Sequence, residues 1–136
     1  MQHNSKIDLI KRVPLFASAS KSELAEIASI ADEIDLPEGR VVIKEGDSGR
    51  EFFVLVDGTA QVERGGKKVA DIGAGDFFGE IALIAKTPRN ATITTTSPVR
   101  ALVITDRAFR QLLDHQPTIA VGVLVALAER LGPTTL

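Results

Sequence analysis

EFFVLVDGTAQVERGGKKVADIG, residues 51–73, sets three short apolar runs between glycines, and its reading decides the fold. EFFVLVD, TAQVER and KVADIG are each of strand length, rich in β-branched and aromatic residues, and separated by glycines where a chain reverses most cheaply. The same texture extends outward to EIDL (33–36) and RVVIKE (40–45) before it, and to ATITTTS (91–97) and VRALVIT (99–105) after it. Gly39, Gly46, Gly49, Gly58, Gly65, Gly66, Gly73, Gly75 and Gly79 fall mostly between the runs and read as turn residues. Many short strands at this spacing predict a compact antiparallel roll or jelly roll over about 33–105.

Helical periodicity flanks this region. Before it, Leu9, Ile10, Val13 and Phe16 form an apolar cluster interrupted by Pro14. Ser20 with Glu23 three residues on makes a capping box, and Leu24, Ile27, Ala28 and Ala31 then fall on one helical face. N-terminal helices are therefore expected over about 6–31. After it, Phe109, Leu112 and Leu113 start a second helical region. Pro117 breaks it, and Ile119, Val123, Leu124, Leu127 and Leu131 resume it up to a stop at Gly132-Pro133. Two C-terminal helices over about 106–131 are expected, the last of them packed against the body or against a second copy. The fold class is α+β, mainly β, with 1–136 read as one domain. No internal repeat, charge block or low-complexity linker is visible.

Composition narrows the function. With 136 residues, 16 basic and 18 acidic, the chain suits a single core and has no broad cationic surface for nucleic acid. It has no cysteine, so there is neither a disulfide framework nor a thiolate metal site, and a cytoplasmic location is the default. No stretch approaches the roughly 18 apolar residues of a membrane helix. The longest apolar run, 119–128, contains Gly122 and reads as a packed helix. His3 and His115 are the only histidines, too few for the histidine cluster of a metal-binding β-roll, and no metal is expected. Ser48, Ser97 and Thr92 to Thr96 lack a histidine base, so no catalytic residue is assigned and no enzyme is expected.

One segment breaks the strand pattern. In GAGDFFGEIALIAKTPRN (73–90), EIALIA cannot alternate and is too short for a full helix, so a turn or two of helix inside the roll is predicted. Gly79 would admit the chain to that turn and leave the N–H groups of Glu80, Ile81 and Ala82 facing any nearby anion. Arg89 offers a planar fork of donors suited to a phosphate with two free oxygens, the amides of Asn90 and Ala91 add to it, and a small residue at Ala91 permits close approach. Glu80, an anion itself, calls for a neutral donor such as a ribose hydroxyl. An ordinary ion pair between Glu80 and Arg89 is the plain alternative.

FGEIALIAKTPRNAT (78–92) resembles the phosphate-binding cassette of the cyclic-nucleotide-binding domain family, and EGDSGREFFVLVDGTAQV (45–62) resembles that family's glycine-marked central strands. The order of helices, roll and helices is similar over about 7–131. The resemblance implies a ligand site at Phe78, Gly79, Glu80, Ile81, Ala82, Arg89, Asn90 and Ala91. In it Glu80 accepts from the ribose 2′-hydroxyl, Arg89 pairs with the cyclic phosphate, and the amides of Ala82, Asn90 and Ala91 complete the cradle. It implies no cofactor, but a ligand, cAMP, with cGMP the alternative. In the family, threonine straight after the arginine goes with cGMP and alanine with cAMP, and Asn90 is neither. The C-terminal helix, with Val123 and Leu124, would cap the base, pass the signal to an unidentified effector, or pair two copies into a homodimer. The alternatives are the sensing domain of a catabolite-activator-type transcription regulator without its helix-turn-helix, and a ligand-free scaffold.

Overall fold

The computed structural model describes residues 2–13, 16–79 and 88–131. Helices α1 (Gln2–Lys11) and α2 (Lys21–Ile30) precede eight strands: β1 (Asp32–Leu36), β2 (Val41–Ile43), β3 (Glu51–Asp57), β4 (Ala60–Arg64), β5 (Lys67–Ile72), β6 (Phe77–Phe78), β7 (Thr92–Thr95) and β8 (Val99–Thr105). Helices α3 (Asp106–His115) and α4 (Pro117–Leu131) follow. Helix α1 starts earlier than the expected residue 6, because QHNSK carries no apolar repeat from which a start can be read. The predicted short helix after Gly79 and the stop at Gly132-Pro133 lie outside the described residues.

The strands form two antiparallel four-stranded sheets, ordered β1-β8-β3-β6 and β2-β7-β4-β5. Strand β3 explains why EFFVLV does not alternate: it is buried on both faces. Phe52 and Val54 face a cluster with Ile10, Val13 and Phe16, with Leu24, Ile27 and Ala28 of α2, and with Phe109 and Leu112 of α3. Phe53 and Leu55 face the interior of the roll, with Ile43, Ala60, Phe78, Ile93 and Ala101. The β8 partners keep the same division, since Phe52 lies opposite Ile104, Val54 opposite Leu102 and Leu55 opposite Ala101. The chain passes from one sheet to the other at Gly58, whose φ of +95° and contact with the Pro98 carbonyl leave no room for a Cβ.

The helices are tied down at their ends. Ser20 and Glu23 form the reciprocal capping box expected from their spacing. The Lys6 ammonium donates to the carbonyls of Ala28 (3.1 Å) and Ala31 (2.8 Å), where the end of α2 leaves acceptors unmet. Thr105 caps α3, and Pro117 opens α4 in the first turn, where its missing N–H would have had no partner within the helix. At the α3–α4 joint, Glu26 accepts from Gln116 (3.0 Å) and pairs with His115 (2.8 Å), while Thr118 donates to Glu23.

Helix α4, expected to pack against the body or against a second copy, has described side chains of both kinds. Ile119 is buried, but Val121, Leu124 and Val125 are more than half exposed. Among the described side chains of this helix, the one that joins the chain's own core is Ile119, in its first turn.

Candidate functional site

Strand β6 delivers the chain to the site. Phe78 lies opposite Phe53 of β3, the two rings stacked at 5.0 Å with an interplanar angle of 15°. Gly79 follows at φ +85°, a conformation open to glycine and strained for an L side chain. A Cβ there would also come within 2.7 Å of the Glu51 carbonyl and 2.9 Å of Arg89 Nη1. Glu80, Ile81 and Ala82 lie outside the described residues.

The chain returns through Pro88 to Arg89, which is held at its backbone and at its side chain. Its N–H donates to the Asp47 carbonyl (2.8 Å) and its own carbonyl accepts from the Gly46 N–H (2.8 Å), so residue 89 is stitched to the loop after β2. Its guanidinium is buried, with Nη2 donating to the Glu51 carbonyl (3.0 Å) and standing 3.7 Å from the Glu51 carboxylate. A guanidinium stays charged when taken out of water, so it needs hydrogen-bond acceptors to offset the hydration it loses. Among the described residues the carboxylate beside Arg89 is thus Glu51.

Two glycines make the slot for this side chain. A Cβ at Gly49 would overlap Arg89 Nε, Cζ and Nη2, and one at Gly79 would meet Nη1 from another side. Gly49 has no positive φ, whereas Gly73, also without one, opens a turn in which its carbonyl accepts from the Asp76 N–H (3.0 Å). For Gly49 the requirement is space. Ala91 is buried and Asn90 exposed. Arg89 forms part of the wall of a recess of about 300 Å³, lined also by Val41, Ile43, Lys44, Ser48 and Gly49. That lies at the small end of the range for small-molecule sites, roughly 300–1,000 Å³.

The structure therefore brings Gly79 and Arg89 together, adding Gly49, Glu51 and the Gly46–Asp47 backbone, none of which was singled out as a site residue from the sequence. The available signal was EGDSGRE itself, which belongs to the second stretch carrying the resemblance. Chemically, the slot holds a fixed cation at the edge of a recess that Lys44, Asp47 and Glu51 also line, and such a cation can pair with an anion. Among the described residues no group of three or more His, Cys, Asp or Glu side chains is placed to hold a metal ion, and no helix is long and apolar enough to cross a membrane.

A roll of two antiparallel sheets with a slotted arginine beside a small recess defines a binding domain, and its sequence matches the family model of the cyclic nucleotide-binding domain over residues 33–116. The chain belongs to this family of regulatory ligand-binding domains. It is 37% identical over 127 residues to a cAMP-dependent protein kinase regulatory subunit of Mycosarcoma maydis, covering 87% of this chain and 23% of that protein. It is 34% identical over 124 residues to a cyclic nucleotide-gated potassium channel of Rhizobium etli, covering 91% and 35%. The chain thus spans a quarter to a third of the length of these relatives. Among solved structures it is similar to the N-terminal domain of a transcriptional regulator from Streptomyces coelicolor (TM-score 0.78, 29% identity, 94% of this chain and 95% of that one). It is also similar to a structure described as Sp-2Cl-cAMPS bound to PKAR CBD2 (TM-score 0.79, 26% identity, 98% and 92%).

Proposed function

We propose that this chain is a cAMP sensor in which the cyclic phosphate pairs with Arg89 and the amides of Ala82, Asn90 and Ala91, while Glu80 accepts from the ribose 2′-hydroxyl. Phe78, Gly79 and Ile81 frame the cassette. The observation that carries the reading is the buried Arg89 guanidinium, slotted between Gly49 and Gly79 at the edge of the recess. A cation so confined loses little side-chain freedom when an anion arrives, and charge-assisted bonds made there are the strong ones. The choice of cAMP over cGMP rests on the names of relatives, several of them cAMP-dependent kinase regulatory subunits.

The signal leaves through the helices. Helices α2, α3 and α4 meet at one polar joint, so a ligand that favours one arrangement of α4 shifts the population of the whole group. The reader of that shift is an effector whose identity the residues do not specify.

A second reading, the sensing part of a catabolite-activator-type regulator, is favoured by the similarity to the Streptomyces coelicolor regulator domain and by the exposed Val121, Leu124 and Val125, which a second copy would cover. The two readings share the ligand and differ in what α4 touches.

Isothermal titration calorimetry with cAMP, cGMP and 5′-AMP tests the proposal. Saturable binding of cAMP is expected, with cGMP weaker and 5′-AMP, which lacks the cyclic phosphate, much weaker. Absence of heat with all three, and of any thermal shift, would leave the fold as a scaffold without ligand.

A further inference from the structure

We infer that Arg64, at the tip of the β4–β5 hairpin, is a positioning residue that holds the Asn90 peptide in register for the cyclic phosphate. The inference rests on the reading of Arg89, Asn90 and Ala91 as the phosphate site and adds a residue that neither the cassette motif nor the recess contains.

The hairpin tip is rigid by construction. Arg64 and Lys67 face each other across Gly65 and Gly66, which have φ of +61° and +80°, the paired positive values of a tight two-residue reversal. Arg64 therefore sits at a defined place at the end of β4, and its Nε donates to the Asn90 carbonyl at 3.0 Å. Strand β4 pairs with β7, Glu63 lying opposite Thr92, so the Arg64 backbone is anchored one step from the segment that its side chain grips.

The contact is one member of a closed set. The Gly65 N–H donates to Glu45 Oε1 (2.9 Å), and the Glu45 N–H donates to Thr92 Oγ1 (2.9 Å). Next in sequence, the Gly46 N–H and the Asp47 carbonyl bond the carbonyl and N–H of Arg89. Hairpin tip, loop after β2 and residues 89–92 are thus joined pairwise. Among the described residues of this set, Arg64 is the one that bonds the Asn90 carbonyl, and the orientation of that peptide unit sets where the Ala91 N–H points. A hydrogen bond to a carbonyl also polarises the amide that shares its peptide unit, here the N–H of Ala91, making it a better donor. Arg64 is exposed and outside the core, so its loss leaves folding intact.

The test separates the hydrogen bond from the charge. In Arg64→Gln the amide Nε2 lies as many bonds from the backbone as the arginine Nε, so a donor is kept while the cation is removed. Arg64→Met keeps the length and removes both. Binding of cAMP and of its Sp- and Rp-phosphorothioate analogues, in which sulfur replaces one or the other exocyclic oxygen, is measured for the full chain and both variants, with thermal melts alongside. Arg64→Met is expected to weaken cAMP binding about three- to tenfold, the worth of one hydrogen bond, and to change the Sp-to-Rp affinity ratio at an unchanged melting temperature. Arg64→Gln is expected to stay within about twofold of wild type in both readouts, as retention of the donor requires. Wild-type affinity and ratio in Arg64→Met would overturn the inference, as would equal weakening in both variants, which would assign the effect to charge. If the unaltered chain binds none of the three ligands, the proposed function fails and the inference with it.

Discussion

Gly49→Ala is the substitution that bears most directly on the slot. The added methyl would occupy the place of Arg89 Nε, Cζ and Nη2, so methyl and guanidinium cannot coexist as placed. The backbone at residue 49 does not require glycine, since its φ is not in the positive region. Restricting the unfolded chain by Gly→Ala then stabilises by about 0.4–1 kcal/mol. Against this stand the contacts of the guanidinium, among them the bond from Nη2 to the Glu51 carbonyl and the nearby Glu51 carboxylate, which a displaced guanidinium exchanges for water. Net stability should therefore move by no more than about 1 kcal/mol. Binding should fall much further, because a displaced guanidinium forfeits a charge-assisted contact to the phosphate worth roughly 1.5–3 kcal/mol, or about ten- to a hundredfold in affinity. Calorimetric titration with cAMP beside urea unfolding reads both quantities. A double-mutant cycle with Arg89→Ala makes the attribution: Arg89→Ala alone should cost about ten to several hundredfold, and Gly49→Ala added to it should cost nothing further, since the methyl then meets open space. Additive losses, or wild-type affinity in Gly49→Ala, would refute the assignment of the slot.

Gly79→Ala should behave differently, because here φ is +85° and the Cβ also approaches the Glu51 carbonyl at 2.7 Å; a loss of about 2–4 kcal/mol of stability is expected in urea unfolding, together with weaker binding. Thr95→Val removes a buried hydroxyl that donates to the Pro37 carbonyl (2.6 Å) and accepts from the Arg40 N–H (2.8 Å), and should cost about 1–3 kcal/mol with affinity unchanged. Glu23 has its carboxyl held below the ordinary glutamate range, first by the Ser20 N–H and then by the Thr118 hydroxyl. A depressed native value means that this stabilisation is present above the ordinary range and is lost as pH falls through the native value. Wild type should therefore exceed Glu23→Gln in stability at pH 7 and the gap should close on acidification; a gap that does not change with pH would show that the charge is immaterial.

The parts of the fold that follow from local periodicity were readable in advance. Ser20 and Glu23 announce a helix start within four residues, Leu24, Ile27, Ala28 and Ala31 mark its buried face, and Pro117 separates the last two helices, all through contacts that a short window contains. The start of α1 was less so, because its first residues are polar and show no repeat. Exposure of Val121, Leu124 and Val125 could not be read either, since an apolar residue looks the same whether or not something covers it.

By itself the sequence determined the order of helices and strands, the family of the cassette, and the presence of an arginine just before the Thr-rich strand β7. Only the tertiary structure decided what surrounds that arginine. Gly49 reaches Arg89 across 40 positions of sequence, Glu51 across 38 and Arg64 reaches Asn90 across 26. These contacts exist because β6 pairs with β3, β7 pairs with β4 and the loop after β2 bonds to residue 89. Strand pairing is non-local, its register set by which faces are buried on the whole sheet. A glycine needed for space alone carries no turn signal, so Gly49 became distinguishable only when the side chain that fills its missing Cβ was in place.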